Sequence, residues 1–199
     1  MKFISFLHDK KAKYGIINGK TITDLTDKIS GANTLKDLIA NQEISEAKKY
    51  ATENPGNIGL EEIEYLPLIP NPGKIICVGL NYSEHVKETN RTVEENPVVF
   101  HRFPESQTAH LQSIQRPIAS HSLDYEGEMA VIMGEGGKHI KTEDALKHIV
   151  GYSCYNESTI REWQRHTRQF GMGKNFEKTG SFGPHLVLAE DIKDYKQLT

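Results

Sequence analysis

Cysteine is scarce. The 199 residues hold two, Cys77 and Cys154, far apart and outside any CxxC pair, which argues against a thiolate zinc site or a disulfide framework. Both sit in apolar runs and are expected as buried free thiols. Neither sign of charge dominates. The net charge is −3, acids and bases are interspersed, and no basic stripe invites nucleic acid as a partner. Long apolar runs are missing too. Phe3–Leu7 is too short for the core of an export signal and runs straight into His8-Asp9-Lys10-Lys11. No stretch is long enough to span a bilayer, so no membrane partner is expected and the expected compartment is the cytoplasm. Asn81, Asn90 and Asn156 head glycosylation patterns that are then read as chance. Repeats and low-complexity tracts are also absent.

What is present fits a folded domain. Apolar residues make up 37% and charged residues 26%, ordinary values that allow a sizeable core at this length. Lys2–Leu7, Lys13–Ile17 and Lys20–Leu25 carry β-branched and aromatic residues, and Asn18-Gly19 is a hairpin signal. Residues 34–52 have helical spacing in Leu35, Leu38 and Ile39. Leu66–Pro72 contains three prolines and reads as an extended linker. We therefore divide the chain into a small N-terminal α/β module with its linker (1–70) and a main body (71–199). In the main body Lys74–Gly79 suits a buried strand, residues 81–88 a short helix, Val98–His101 a strand, and Leu123–Met133 the clearest strand. Thr142–Ile149 and Ser158–Gln169 read as helices, Gly151–Tyr155 and Leu186–Ala189 as strands. Strands outnumber helices, so the expected class is β-rich α+β.

Three constellations could carry chemistry. Along a strand alternate side chains share a face, so Asp124, Glu126 and Glu128 point the same way. Carboxylates that close repel unless a cation or proton lies between them, and hard oxygen donors suit magnesium, calcium or manganese. On periodicity alone a solvated acidic edge is the commoner reading. The apolar run that follows places the acids at the mouth of a buried strand and favours a site. His85 and Glu88 are three apart, a helical spacing at which a carboxylate can orient an imidazole as a general base. A surface ion pair is the commoner use of that spacing. Gly171-Met-Gly-Lys174 would let backbone approach a ligand, but the Walker phosphate pattern fails there and at Gly134–Lys138.

Taken in order, these segments resemble the fumarylacetoacetate hydrolase family. The carrying residues are Lys74–Glu88, Leu123–Ile132, Gly151–Glu157, Ser158–Gln164, Gly173–Phe176 and Gly183-Pro184. The resemblance implies a fumarylacetoacetase-like mixed β-sandwich roll and metal-dependent chemistry on 2-oxo and 1,3-diketo acids. It implies Glu126, Glu128 and Glu157 as metal ligands, with Mg2+ the expected ion and Mn2+ or Ca2+ alternatives. It implies His85 and Glu88 as a water-activating pair and Lys174 as neutraliser of developing negative charge. Arg102, Tyr82 and Gln164 fall at substrate-binding positions. The implied reaction is C–C bond hydrolysis of an acylpyruvate. Isomerisation, decarboxylation or hydration of 2-oxo dienoic diacids is an alternative, and a catalytically inactive metal- or diacid-binding relative another. The expected assembly is a homodimer.

Two departures bear on these expectations. Glu157 stands where the family usually has aspartate, and the extra methylene could shift the ion. The family's fold also continues past the point where this sequence reaches Thr199. The chain is therefore expected to carry the N-terminal part of the catalytic domain and, by itself, to be a weak catalyst or none.

Overall fold

The computed structural model describes residues 1–82 and 96–197. It opens on a meander of β1 (Lys2–His8), β2 (Lys11–Asn18) and β3 (Thr21–Asp24). Period two sorts the side chains. Phe3, Tyr14 and Ile16 enter the larger apolar core, while Ile4, Phe6 and Ile22 enter a smaller one. Gly19, at φ +62, closes the β2–β3 hairpin as the Asn-Gly pair predicts. The β1–β2 turn had no such marker. Asp9 and Lys10 both take positive φ, 50 and 62, the two-residue geometry that matches strand twist.

The helical stretch is two pieces. At the start of α1 (Leu35–Ala40), Thr34 Oγ1 accepts from the Asp37 N–H at 3.2 Å, and the Asp37 carboxylate accepts from the Thr34 N–H at 3.0 Å. Gln42, at φ +60, interrupts the chain before α2 (Ile44–Glu53). Leu35, Leu38, Ile39, Ala47 and Ala51 pack into the larger core.

The remaining strands are β4 (Ile58–Gly59), β5 (Glu64–Tyr65), β6 (Ile75–Gly79), β7 (Val98–Arg102), β8 (Gln107–Thr108), β9 (Gly127–Met133), β10 (Ile149–Glu157), β11 (Gly180–Phe182) and β12 (Leu186–Leu188). Two short helices, α3 (Arg161–Gln164) and α4 (Gly171–Lys174), follow β10. Ten strands form one sheet in the order β4-β3-β2-β1-β12-β10-β11-β8, with β5 on β1 and β9 on β10. β12 thus joins the opening meander to the strands that follow. Ile132, Tyr155, Phe182, Leu186 and Leu188 share the core with Phe3 and Tyr14. The proline-rich segment is pinned rather than loose. Leu68 is fully buried, its carbonyl accepts from Ser5 Oγ at 2.7 Å, and its N–H donates to the Phe182 carbonyl at 3.2 Å.

The β-rich class is as expected, but helices and burial were overestimated. Leu123–Gly127 is not continuous strand: Asp124 makes one isolated bridge, to Thr159, and β9 starts at Gly127. Thr142–His148 winds as a 3-10 helix with no buried residue, so no apolar face rewards an α-helix. After α3 the chain leaves the helix. Thr167 Oγ1 accepts from the Gln169 N–H at 3.1 Å, a local bond that competes with the helical one. β6 and β9 are not buried on both faces. Ile76 and Met133 are 56% and 55% exposed, with Val78, Met129 and Val131 close behind. Cys154 is exposed and Cys77 only half-buried, both as free thiols.

Candidate metal centre

The pairing of β9 with β10 builds the site. The register sets Glu128 opposite Tyr155 and Gly127 opposite Asn156. The Glu157 N–H then donates to the Glu126 carbonyl at 2.8 Å, extending the ladder. Glu126 and Glu128, two residues apart, share a face, and Glu157 opposite Glu126 shares it with them. Each of the three offers a carboxylate oxygen within 4.8 Å of the others, a group able to hold a metal ion. Asn156 serves this pairing: its Oδ1 accepts from the Glu126 N–H at 3.2 Å and from Ser158 Oγ at 2.9 Å.

Among the described residues three basic side chains surround the acids. Lys174 Nζ lies 2.8 Å from Glu126 Oε2 and 3.1 Å from Glu157 Oε2, with its side chain buried. Arg161 Nη1 reaches Glu126 Oε1 at 2.7 Å, and Nη2 reaches Asp124 Oδ2 at 2.7 Å. Arg102 Nη1 lies 3.3 Å from Glu157 Oε1. Thr159 Oγ1 donates to Glu126 Oε1 at 2.6 Å. Glu128 meets no cation among the described residues; the Tyr82 hydroxyl donates to it.

The acidities follow from this arrangement. Burial would raise the Glu126 carboxyl, but Lys174, Thr159 and Arg161 outweigh it and hold the group below its ordinary value. Burial raises Glu157 in spite of Lys174 and Arg102. Burial also raises Glu128, and the Glu157 and Glu126 charges add to it against the Tyr82 hydroxyl and the Lys174 charge. Burial, with the Glu157 charge adding, pushes the neighbouring Cys77 thiol up to about 12, so it stays protonated. Among the described residues Glu128 is the carboxylate of the three that no base ion-pairs, although the Lys174 charge acts on it. Three hard oxygen donors with that imbalance fit Mg2+, Mn2+ or Ca2+.

A cavity of about 770 Å³ opens beside the acids, lined by Glu128, Glu157, Tyr82 and Cys77 and by apolar residues of β6 and β9. Of the expected substrate residues, Tyr82 lies on its wall. Gln164 is turned to Arg161, its Oε1 accepting from Nη1 at 3.1 Å. Arg102 does not border the cavity as expected. Its side chain is 0% exposed, and its donors go to Ser106, Glu157, Ser158 and Thr179. Gly173, beside Lys174, also differs from expectation. A Cβ on Gly173 would lie 2.5 Å from the Gln164 nitrogen and 2.6 Å from the Ile160 carbonyl oxygen, so the close approach is between α4 and α3, not to a ligand. His85 and Glu88 lie outside the described residues. Arg161 is the residue the sequence reading left without a role. Its place four residues after Glu157, at the head of α3, was the available clue.

Fold and site together define a β-rich protein with a three-carboxylate group able to hold a metal ion. The chain belongs to the fumarylacetoacetate hydrolase family: the family model for the fumarylacetoacetate (FAA) hydrolase C-terminal domain matches residues 74–199, which include every acid and base of this site. It is 38% identical over 134 residues to a mitochondrial oxaloacetate tautomerase of Rattus norvegicus, covering 67% of this chain and 43% of that protein. With the mitochondrial oxaloacetate tautomerase of Xenopus laevis it shares 37% over 150 residues, 74% of this chain and 47% of the other. Among solved structures, the fumarylacetoacetate hydrolase from psychrophilic Exiguobacterium antarcticum superposes with a TM-score of 0.76 at 30% identity, covering 98% of this chain and 68% of that one. The matches thus span less than half the length of these two curated relatives. Among the described residues no helix is long and apolar enough to cross a membrane.

Proposed function

We propose that the chain carries the cation and substrate site of an enzyme that acts on 2-oxo or 1,3-diketo acids through an enolate. The observation that carries this reading is the convergence of Glu126, Glu128 and Glu157 under the bases Lys174 and Arg161. The proposed ion is Mg2+, with Mn2+ or Ca2+ as alternatives. When bound, such an ion supplies a Lewis acid that polarises the 2-oxo carbonyl and lowers the cost of negative charge there. The protein's own groups prepare for that charge. Lys174 and Arg161 keep Glu126 ionised. Lys174 also touches Glu157, so its positive charge is fixed where an enolate would be stabilised. Tyr82, on the cavity wall and against Glu128, is placed to orient a substrate.

Two reactions use this enolate. Tautomerisation of a 2-oxo diacid such as oxaloacetate moves a proton between carbon and oxygen by way of the enolate, whose charge Lys174 and Arg161 would stabilise, and uses no attacking water. The two curated relatives named above are called oxaloacetate tautomerases. Hydrolytic C–C cleavage of an acylpyruvate stands second. It needs a water-activating base as well, for which the sequence offers His85 and Glu88. The likeness to a fumarylacetoacetate hydrolase supports it. We place the protein in the cytoplasm as a homodimer, with no nucleic-acid or membrane partner. Fractionation and light scattering test this, since the curated relatives are named as mitochondrial.

The functional test follows enol–keto conversion of oxaloacetate and cleavage of an acylpyruvate with saturating Mg2+ or Mn2+. The expected result is cation-dependent tautomerisation that a chelator abolishes and Glu126→Gln lowers at least a hundredfold, about 2.7 kcal/mol of barrier. Turnover indifferent to both chelator and Glu126→Gln would overturn the proposal.

A further inference from the structure

We propose that Arg102 is a positioning residue: it immobilises the Glu157 carboxylate and thereby makes the cluster favour a small divalent ion over a large one. The inference rests on the reading that the three carboxylates hold a divalent cation. Glu157 is the most buried of the three, 6% exposed. Each of its two oxygens is held, Oε1 by Arg102 Nη1 at 3.3 Å and Oε2 by Lys174 Nζ at 3.1 Å.

Arg102 is itself fixed. Nε donates to Ser106 Oγ at 3.3 Å, Nη1 also to the Ser158 carbonyl at 3.3 Å, and Nη2 to Thr179 Oγ1 at 2.8 Å. The guanidinium carbon lies 5.8 Å from the centre of the Tyr155 ring. These anchors come from three separate segments. The chain also leaves room for the fork. A Cβ on Gly180 would lie 2.9 Å from Arg102 Nη2 and 2.2 Å from the Tyr155 hydroxyl. A guanidinium that reaches a carboxylate, a carbonyl and two hydroxyls at once uses its planar spread of donors. A lysine ammonium is a point charge and cannot span them.

The consequence concerns the ion. Glutamate has one more rotatable bond than aspartate, and a free glutamate could swing to fit ions of different radius. Held at both oxygens, Glu157 cannot. Mg2+ demands near-ideal octahedral geometry at about 2.0–2.1 Å, whereas Ca2+ accepts flexible geometry at about 2.3–2.6 Å. A pinned ligand serves the first. Loosening it harms Mg2+ and Mn2+ more than Ca2+.

The experiment measures Mg2+, Mn2+ and Ca2+ binding to the whole chain by calorimetry, with Mn2+ checked by electron paramagnetic resonance. The variants are Arg102→Lys and Thr179→Val. Arg102→Lys is expected to weaken Mg2+ and Mn2+ at least about tenfold, the usual effect of removing a group that holds a metal ligand, and Ca2+ much less. Thr179→Val, which keeps the side-chain shape and removes one anchor, is expected to move the ratio the same way by less. Circular dichroism and a cooperative melt show whether each variant is folded. A folded Arg102→Lys that loses all three ions equally, or none, overturns the inference. If that variant does not fold, an unchanged Mg2+ to Ca2+ ratio in Thr179→Val overturns it. The underlying reading fails separately, and takes the inference with it, if the unaltered chain shows no saturable binding or binds as well with Glu128→Gln.

Discussion

Residues 1–70 bury mostly apolar side chains, whereas the chain from β6 onward buries charge as well. In the first region Phe3, Ile4, Phe6, Tyr14 and Ile16 are almost wholly enclosed. In the second the largest fully buried side chains are Arg102 and Lys174. Strands β6 and β9 leave Ile76, Val78, Met129, Val131 and Met133 exposed. The contrast separates two tasks within one chain. Apolar burial stabilises regardless of what is bound. A buried ion pair offers little net stability but is costly to break from one side, so Arg102–Glu157 and Lys174–Glu126 are better explained by what they hold in place.

That contrast can be broken by paired substitutions. Phe3→Ala, in the larger core, should cost about 4 kcal/mol in urea unfolding, and by the same amount with and without Mg2+. A Mg2+-dependent cost there would erase the distinction. Lys174→Met should cost about 3 kcal/mol without added cation, because Glu126 and Glu157 lose the base they share. Millimolar Mg2+ should recover part of that loss. If Mg2+ restores nothing, Lys174 is a structural base only.

The smallest effect lies at an ion pair outside the site. Burial would raise the Asp24 carboxyl, but the Lys13 ammonium at 2.6 Å and the Thr26 N–H and hydroxyl hold it below its ordinary value. A lowered folded pKa stabilises the native state above the unfolded value of about 3.9, and that contribution is lost as pH falls through the folded value. Lys13→Met should therefore cost about 0.5–1 kcal/mol at neutral pH and less at pH 2, as read from urea midpoints across pH. An equal cost at both pH values would assign Lys13 to packing rather than charge.

The sequence showed some of this plainly. The shared face of Glu126 and Glu128 follows from strand parity, and the opening meander from its β-branched runs. Glu157 could not be reached by spacing, because its place depends on the β9–β10 register; the family resemblance supplied it. Arg161 stood in the motif, yet its contact with Glu126 needs the turn from β10 into α3. Arg102 read as a basic residue near substrate, since nothing local says that Ser106, Ser158 and Thr179 close over it. The overestimated helices at 142–149 and 158–169 have acceptable local residues but no apolar face to bury. The exposed faces of β6 and β9 were misjudged for the opposite reason: their residues are apolar, and burial is decided by what packs on them.

The central claim is that three carboxylates at the β9–β10 junction bind a divalent cation. Mn2+ titration followed by electron paramagnetic resonance tests it directly, with Glu126→Gln, Glu128→Gln and Glu157→Gln beside the unaltered chain. The account predicts saturable binding of a single ion, competed by Mg2+ and weakened at least about tenfold by each substitution. Binding that none of the three substitutions changes, or no saturable binding at all, would contradict it.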